Sequence, residues 1–109
     1  MDLINQFNQT WADHDLDAAL ELCTDDCVFE STSPSPDGQR YEGKDEIRAA
    51  WKPIFDDANA GFETEDWFEV GDRLVALWRY DWSDGHVRGV DLFKVRDGKV
   101  AEKFSYVKG

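Results

Sequence analysis

Asp91 is the residue of this chain whose type and position are best suited to chemistry. It stands in the strand-like run from Arg88 to Phe93, on a face that it shares with aromatic residues. An ionised carboxylate is costly to desolvate in such surroundings. That placement suits a general acid or base, or a neutral carboxyl group that donates a hydrogen bond to a carbonyl oxygen. The alternative is a structural Asp that is hydrogen-bonded to Tyr80, Tyr106 or a Trp indole.

Other residues with titratable or nucleophilic side chains are less favourably placed. Glu102 shares the predicted face of Asp91 but lies close to a turn, while His14 and His86 fall at predicted turns and are expected to be exposed. Cys23 and Cys27 form a lone C-x3-C pair without a nearby His, which is typical of two free thiols. The chain has no nucleophile elbow, glycine-rich phosphate loop or metal-ligand spacing. We therefore expect no metal and no cofactor.

Three helices are predicted upstream of the main strands, each with one apolar face. Asp15 is placed to cap the second helix, and Pro53 is expected to kink or restart the third, which begins near Lys44. The segment 31–43 is rich in Ser, Pro and Gly and is predicted to be a loop or lid. The apolar stripes are Leu3, Ile4, Phe7 and Trp11; Leu16, Ala19, Leu20 and Cys23; and Ile47, Ala50, Trp51 and Ile54 or Phe55.

The second half of the chain is predicted to be a β-meander. Turn signals at Gly71-Asp72, Asp84-Gly85 and Asp97-Gly98 separate four long strands, and Cys27–Glu30 is a short additional strand. The fold class is therefore α+β, with a curved antiparallel sheet packed on three N-terminal helices. The length of 109 residues suits one domain, residues 1–109.

Hairpin pairing across the last two turns assigns side chains to the two faces of the sheet. On this basis, one face and the helices are expected to enclose an aromatic pocket for a small apolar molecule, although a filled aromatic core is the alternative. The expected pocket residues are Phe7, Trp11, Phe29, Trp51, Phe55, Trp78, Tyr80, Phe93, Phe104 and Tyr106. On the opposite face Val75, Leu77, Val90 and Leu92 cluster. A homodimer through this outer face is expected, with an ordinary solvated sheet face as the alternative.

Composition narrows the possible partners. The formal net charge of −12 has the wrong sign for attraction to nucleic acid or to anionic lipid headgroups. The N-terminus has neither the basic region nor the apolar stretch of a signal peptide, so we expect a soluble, cytoplasmic protein.

Five segments carry a resemblance to a known family: Trp11 to Asp17 with Leu20, Asp26 to Glu30, Tyr41 to Gly43 with Ile47 and Trp51, Gly71 to Val75, and Gly89 to Val100. With them the chain resembles the nuclear transport factor 2-like superfamily, in its SnoaL-like and ketosteroid-isomerase-like branch, over nearly its whole length. It implies a cone-shaped, cystatin-like α+β roll with a pocket at its open end and frequent homodimers.

Of the three catalytic residues of the isomerases, two have no equivalent side chain in this chain. The oxyanion-hole tyrosine of the isomerases falls on Phe7, and their proton-shuttling aspartate falls on Ser31, whereas their second aspartate matches Asp91. Steroid isomerisation is therefore disfavoured. Two hypotheses remain open: an acid/base enzyme of the isomerase, cyclase or dehydratase type that uses Asp91, and a non-catalytic module that binds a ligand or forms a dimer.

Overall fold

The structure is a computed structural model, and it describes residues 3–108. These residues form three helices and six strands. In chain order the elements are α1 Leu3–Ala12, α2 Leu16–Glu21, β1 Cys23–Glu30, β2 Arg40–Glu42, α3 Lys44–Asp56, β3 Gly61–Val70, β4 Arg73–Trp82, β5 Gly85–Arg96 and β6 Lys99–Val107. The predicted α+β fold with its helices toward the N-terminus is confirmed.

The six strands form one curved sheet in the order β2-β1-β6-β5-β4-β3. Strands β3 to β6 make the predicted antiparallel meander. One pair differs from the predicted antiparallel arrangement, because β1 runs parallel to β6. A parallel neighbour needs a long connection, and here residues 31–98 lie between the two strands. Sequence patterns local to β1 carry no information on that pairing.

The helices cover one face of the sheet, which we call the inner face, and their predicted stripes form the core. Ile4, Phe7 and Trp11 of α1 are buried, and the Phe7 ring meets the Phe93 ring edge-on at 5.6 Å. Trp51 of α3 is 1% exposed and also packs against Phe7, with ring centroids 6.0 Å apart. Burial of these large rings is the main favourable term in forming the roll.

A local signal sets the start of α2. Asp15 caps α2 as predicted, since its Oδ1 accepts a hydrogen bond of 3.1 Å from the Ala18 backbone N–H. Helix α2 nevertheless ends at Glu21, so Cys23 lies on β1 and not on the helix where it was predicted. Pro53 lies inside α3 and does not restart it.

Within residues 3–108 no helix has the length and apolar character needed to span a membrane.

The hairpin between β4 and β5 has a different register from the one predicted. A two-residue turn at Asp84-Gly85 would pair Trp78 with Asp91. The turn is instead Ser83-Asp84, so Trp78 pairs with Gly89, and Asp91 pairs with Ala76. Each β4 residue therefore pairs with a β5 residue two positions earlier than predicted. Because side chains alternate between the faces with a period of two, such a shift leaves every side chain on its predicted face. Asp91 and Trp78 therefore stay on the inner face as predicted.

The hairpin between β5 and β6 contains a bulge that reverses the predicted faces of β6. Val95 pairs with Val100, but Lys94 pairs with Glu102, so Ala101 is an extra residue on β6. A shift of one residue exchanges the two faces. The predicted pairing, which turns Glu102 and Phe104 inward, turns Lys103 outward. In the structure Lys103 is instead buried on the inner face and is 8% exposed.

The same bulge corrects three further predictions. Phe104 and Tyr106 lie on the outer face and do not line the pocket; Tyr106 is 53% exposed. Glu102 also points outward, where its carboxylate lies 3.2 Å from the Arg73 guanidinium.

Candidate functional site

A cavity of about 340 Å³, which we call the chamber, opens between the inner face of the sheet, α1, α3 and the loop that follows β1. Its size lies at the small end of the range for ligand pockets, about 300 to 1,000 Å³. Its walls are mainly aromatic and aliphatic, with several hydroxyl groups. The lining residues are Trp11, Phe29, Ser31, Thr32, Ser33, Tyr41, Ala50, Ile54, Phe62, Trp78, Lys103 and Ser105.

A second, smaller space lies beside the chamber, and we call it the deep cavity. Its volume is about 30 Å³, which is enough for about one or two water molecules. It is lined by Phe7, Asn8, Trp11, Phe62, Thr64, Ala76, Trp78, Asp91 and Lys103. The two spaces share Trp11, Phe62, Trp78 and Lys103, whereas Asp91 lines the deep cavity and is absent from the chamber wall.

Lys103 and Asp91 form a buried ion pair where the two spaces meet. The Lys103 Nζ lies 3.2 Å from Asp91 Oδ2, and both side chains are 10% exposed. The same ammonium group donates a hydrogen bond of 3.0 Å to Ser105 Oγ. Because β5 and β6 pair Asp91 with Ser105, and Lys103 points to the same face as Ser105, the sheet brings all three side chains together. Opposite charges at this distance offset part of the cost of removing each charge from water.

Three aromatic rings surround the Lys103 ammonium group. Its Nζ lies 5.0 Å from the Trp11 ring centroid, 4.9 Å from that of Phe29 and 6.0 Å from that of Trp51. The negative faces of aromatic rings attract a cation at such distances. Lys103 therefore has a defined position in the wall of the chamber, which its flexible side chain would not have on a protein surface.

Asp91 differs from the lone carboxyl group that the sequence predicted. Its Oδ2 faces Lys103, and its Oδ1 is buried without a hydrogen-bond partner among residues 3–108. The structural alternative, in which Tyr80, Tyr106 or an indole N–H holds the carboxylate, also does not describe this contact. Asp91 instead reaches the chamber through the Lys103 ammonium group.

The predicted pocket residues fall into a wall and a supporting layer. Trp11, Phe29 and Trp78 line the chamber, and Phe7 lines the deep cavity. Phe55 is buried behind the wall, with its ring centroid 4.4 Å from that of Trp11.

The remaining predicted residues lie behind the wall or beside it. Trp51 and Phe93 are 1% exposed and belong to the core. Tyr80 contacts the Phe62 ring at 4.4 Å, and burial, together with the charge of Asp57, raises the pKa of the Tyr80 phenol. Tyr80 lines neither the chamber nor the deep cavity.

Phe62 is a wall residue that the sequence did not identify. Its ring centroid lies 5.1 Å from that of Trp11 and 5.3 Å from that of Trp78, so it joins α1 to the sheet. It reaches the inner face because β3 pairs Phe62 with Tyr80. The alternation within β3 is too irregular to define this register, since a bulge lies between Thr64 and Asp66.

The other titratable candidates lie away from this site. A hydrogen bond with Cys27, together with burial, raises the pKa of the Cys23 thiol, and both thiols are free and buried. His14, predicted to be exposed, is half-buried, with Nδ1 2.9 Å from the Phe55 carbonyl oxygen, while His86 is exposed as predicted.

Comparisons with known proteins support this fold over the whole chain. The family model described as a SnoaL-like domain matches residues 4–103. An NTF2-like protein of unknown function from Mesorhizobium loti is 40% identical and superposes with a TM-score of 0.89, over 98% of this chain and 88% of its own. None of the curated proteins matches the chain.

More distant structures share the fold. A candidate polyketide cyclase from Sinorhizobium meliloti is 20% identical, with a TM-score of 0.81 over 94% of this chain and 92% of its own. A candidate ketosteroid isomerase from Kribbella flavida is 14% identical, with a TM-score of 0.82 over 98% of this chain and 76% of its own. At these identities the likeness concerns the fold alone.

Proposed function

Because the chain belongs to the family of SnoaL-like domains, we propose that its chamber binds a small, largely apolar molecule that carries an oxygen atom within reach of Lys103. The observation that carries this proposal is the buried Lys103 ammonium group in an otherwise apolar and hydroxyl-bearing wall. Apolar walls provide affinity, and a few fixed polar groups orient a ligand.

The chamber also contains groups that could hold further oxygen atoms of a ligand. Ser33 and Tyr41 contribute hydroxyl groups to the wall, and the Tyr41 ring stacks on Phe29 with a centroid distance of 5.8 Å. Flat aromatic or alicyclic molecules with one or two oxygen atoms fit this combination of surfaces.

Substitutions at two neighbouring alanines of α3 test ligand binding in the chamber. Ala50 lines the chamber, whereas the adjacent Ala49 is exposed. Ala50→Trp should fill the chamber and abolish binding of 2-acetylnaphthalene measured by calorimetry, while Ala49→Trp should bind it like the native protein. Equal binding by the two variants would place the ligand elsewhere and reject the chamber.

A second candidate function is acid/base catalysis by Asp91, of the isomerase, cyclase or dehydratase type. It is favoured by the unpartnered Asp91 Oδ1 beside a cavity of water size, because a water molecule there could carry a proton between Asp91 and a ligand. The descriptions of the two distant structures as a candidate cyclase and a candidate isomerase agree with such chemistry.

Exchange of ligand protons tests the catalytic proposal directly. In deuterated water the native protein should accelerate loss of the methyl proton signal of 2-acetylnaphthalene, and Asp91→Asn should remove that acceleration. If the native protein leaves the exchange rate at the value of buffer, the non-catalytic binding module is the better description.

We also propose that a second copy of the chain covers the outer face of the sheet. Leu77 and Leu92 are 36% and 37% exposed there, and Phe68 and Tyr106 extend the same apolar surface. Leu77→Glu combined with Leu92→Glu should lower the sedimentation coefficient from that of a dimer to that of a monomer. An unchanged value would rule out this interface.

A further inference from the structure

The charge of Lys103 is already balanced inside the protein. Asp91 Oδ2 lies 3.2 Å from the ammonium nitrogen as its counter-ion, and Ser105 Oγ accepts a hydrogen bond of 3.0 Å from it. An N–H donor of this ammonium group is left for a ligand in the chamber. That donor belongs to an ion pair whose net charge is zero.

The rest of the chamber adds no charge that could hold an ion. Among the described residues that line it, Lys103 is the one that carries a charge, and the other polar side chains are hydroxyl-bearing residues and the indoles of Trp11 and Trp78. The protein as a whole has a formal net charge of −12, which repels anions at long range. An anionic ligand would also place its charge close to the Asp91 carboxylate, in surroundings that screen charge poorly.

We infer that Asp91 determines the charge of the ligand: as the counter-ion of Lys103, it makes the chamber select an uncharged ketone, ester or phenol over a carboxylate of the same shape. The inference rests on the proposed function of the chamber as a ligand site and goes beyond it by assigning the ligand class. Asp91 acts here as a specificity-determining and positioning residue, since its carboxylate meets Lys103 and not the chamber.

Two molecules with the same ring system test this assignment. 2-Acetylnaphthalene carries a neutral carbonyl group, and 2-naphthoate carries a carboxylate at the same position. Calorimetric titration of the native protein near neutral pH should give tighter binding of the ketone, by about tenfold or more. In Asp91→Asn the unbalanced Lys103 ammonium group should favour 2-naphthoate, so that the ratio of the two dissociation constants reverses.

A matched control separates local charge from the net charge of the protein. Asp56→Asn also removes one carboxylate, but from an exposed ion pair with Lys52. It should keep the native preference for the ketone. If Asp56→Asn and Asp91→Asn change the preference equally, the selectivity comes from net charge and the role of Asp91 is rejected.

If Asp91→Asn fails to fold, titration of the native protein with the two ligands still tests the inference. Equal binding of the two ligands, or tighter binding of 2-naphthoate by the native protein, overturns the ligand class and leaves the chamber as a ligand site. Absence of binding for both ligands overturns the chamber proposal and the ligand class together.

Discussion

Removal of either partner of the Lys103–Asp91 pair should strongly destabilise the protein. At 3.2 Å and an effective dielectric constant of about 20, the attraction between the two charges is about 5 kcal/mol. Desolvation of both groups offsets much of this gain, but a variant that lacks one partner leaves the other charge buried and unpaired. Such a change costs about 3 to 5 kcal/mol. Asp91→Asn and Lys103→Met should each lower the free energy of unfolding by an amount in this range.

The double variant should lose less than the sum of the two single variants. Asp91→Asn combined with Lys103→Met leaves no buried charge, so the coupling between the two sites should be about 2 kcal/mol or more. Urea unfolding followed by Trp fluorescence measures all three free energies, since several of the five Trp residues lie in the core or the chamber wall.

An exposed ion pair supplies the control for this cycle. Lys52 Nζ lies 2.9 Å from Asp56 Oδ2, but these side chains are 65% and 60% exposed. A helical pair of this kind couples by about 0.5 kcal/mol or less. If the cycle at Lys103 and Asp91 gives a coupling as small as the cycle at Lys52 and Asp56, the ion pair is not desolvated and the description of the site is wrong.

Three further predictions concern packing and pH. Gly89→Ala should cost about 1 to 3 kcal/mol in urea unfolding, because a Cβ atom there would clash with the Tyr106 carbonyl oxygen and would lie 2.5 Å from Trp78 Cζ2; an unchanged free energy would contradict this packing. Arg96 lowers the pKa of Asp26 below its usual 3.8, so their pairing stabilises the fold above that pH and is lost as the pH falls through the lower folded value. Asp26→Asn should therefore lower the thermal midpoint at neutral pH and leave it unchanged in strong acid. Tyr80→Phe should remove a phenol that ionises above pH 10 from the absorbance titration at 295 nm, and loss of an earlier component would be inconsistent with its burial.

Asp91 is an example of what the alternation within a strand can predict. Its inner position depended only on the alternation within β5 and on its parity with Trp78 on β4. The slip of two residues at the Ser83-Asp84 turn changed its neighbours but not its face. The helix stripes were predicted for a similar reason, since the period of 3.6 residues is a property of each segment by itself.

Lys103 shows where such a pattern fails. In β6 the alternation of Val100, Phe104 and Tyr106 suggested an apolar inner side, and one extra residue at Ala101 exchanged the faces. A bulge depends on how two strands fit together, so the sequence of one strand does not reveal it. A buried Lys is also acceptable here because the Asp91 carboxylate lies 3.2 Å from its ammonium group, which also donates a hydrogen bond to Ser105.

The sequence by itself determined the α+β class, the order and faces of the helices, the meander and the inward direction of Asp91, because each follows from local periodicity, caps and turns. The tertiary structure alone decided the parallel pairing of β1 with β6, the place of Phe62 in the wall and the ion pair that Lys103 makes with Asp91. These features depend on the register between separate strands, which is set by the fit of the whole sheet and the helices upon it. The candidate site therefore contains a buried ion pair, and the sequence revealed one of its two residues.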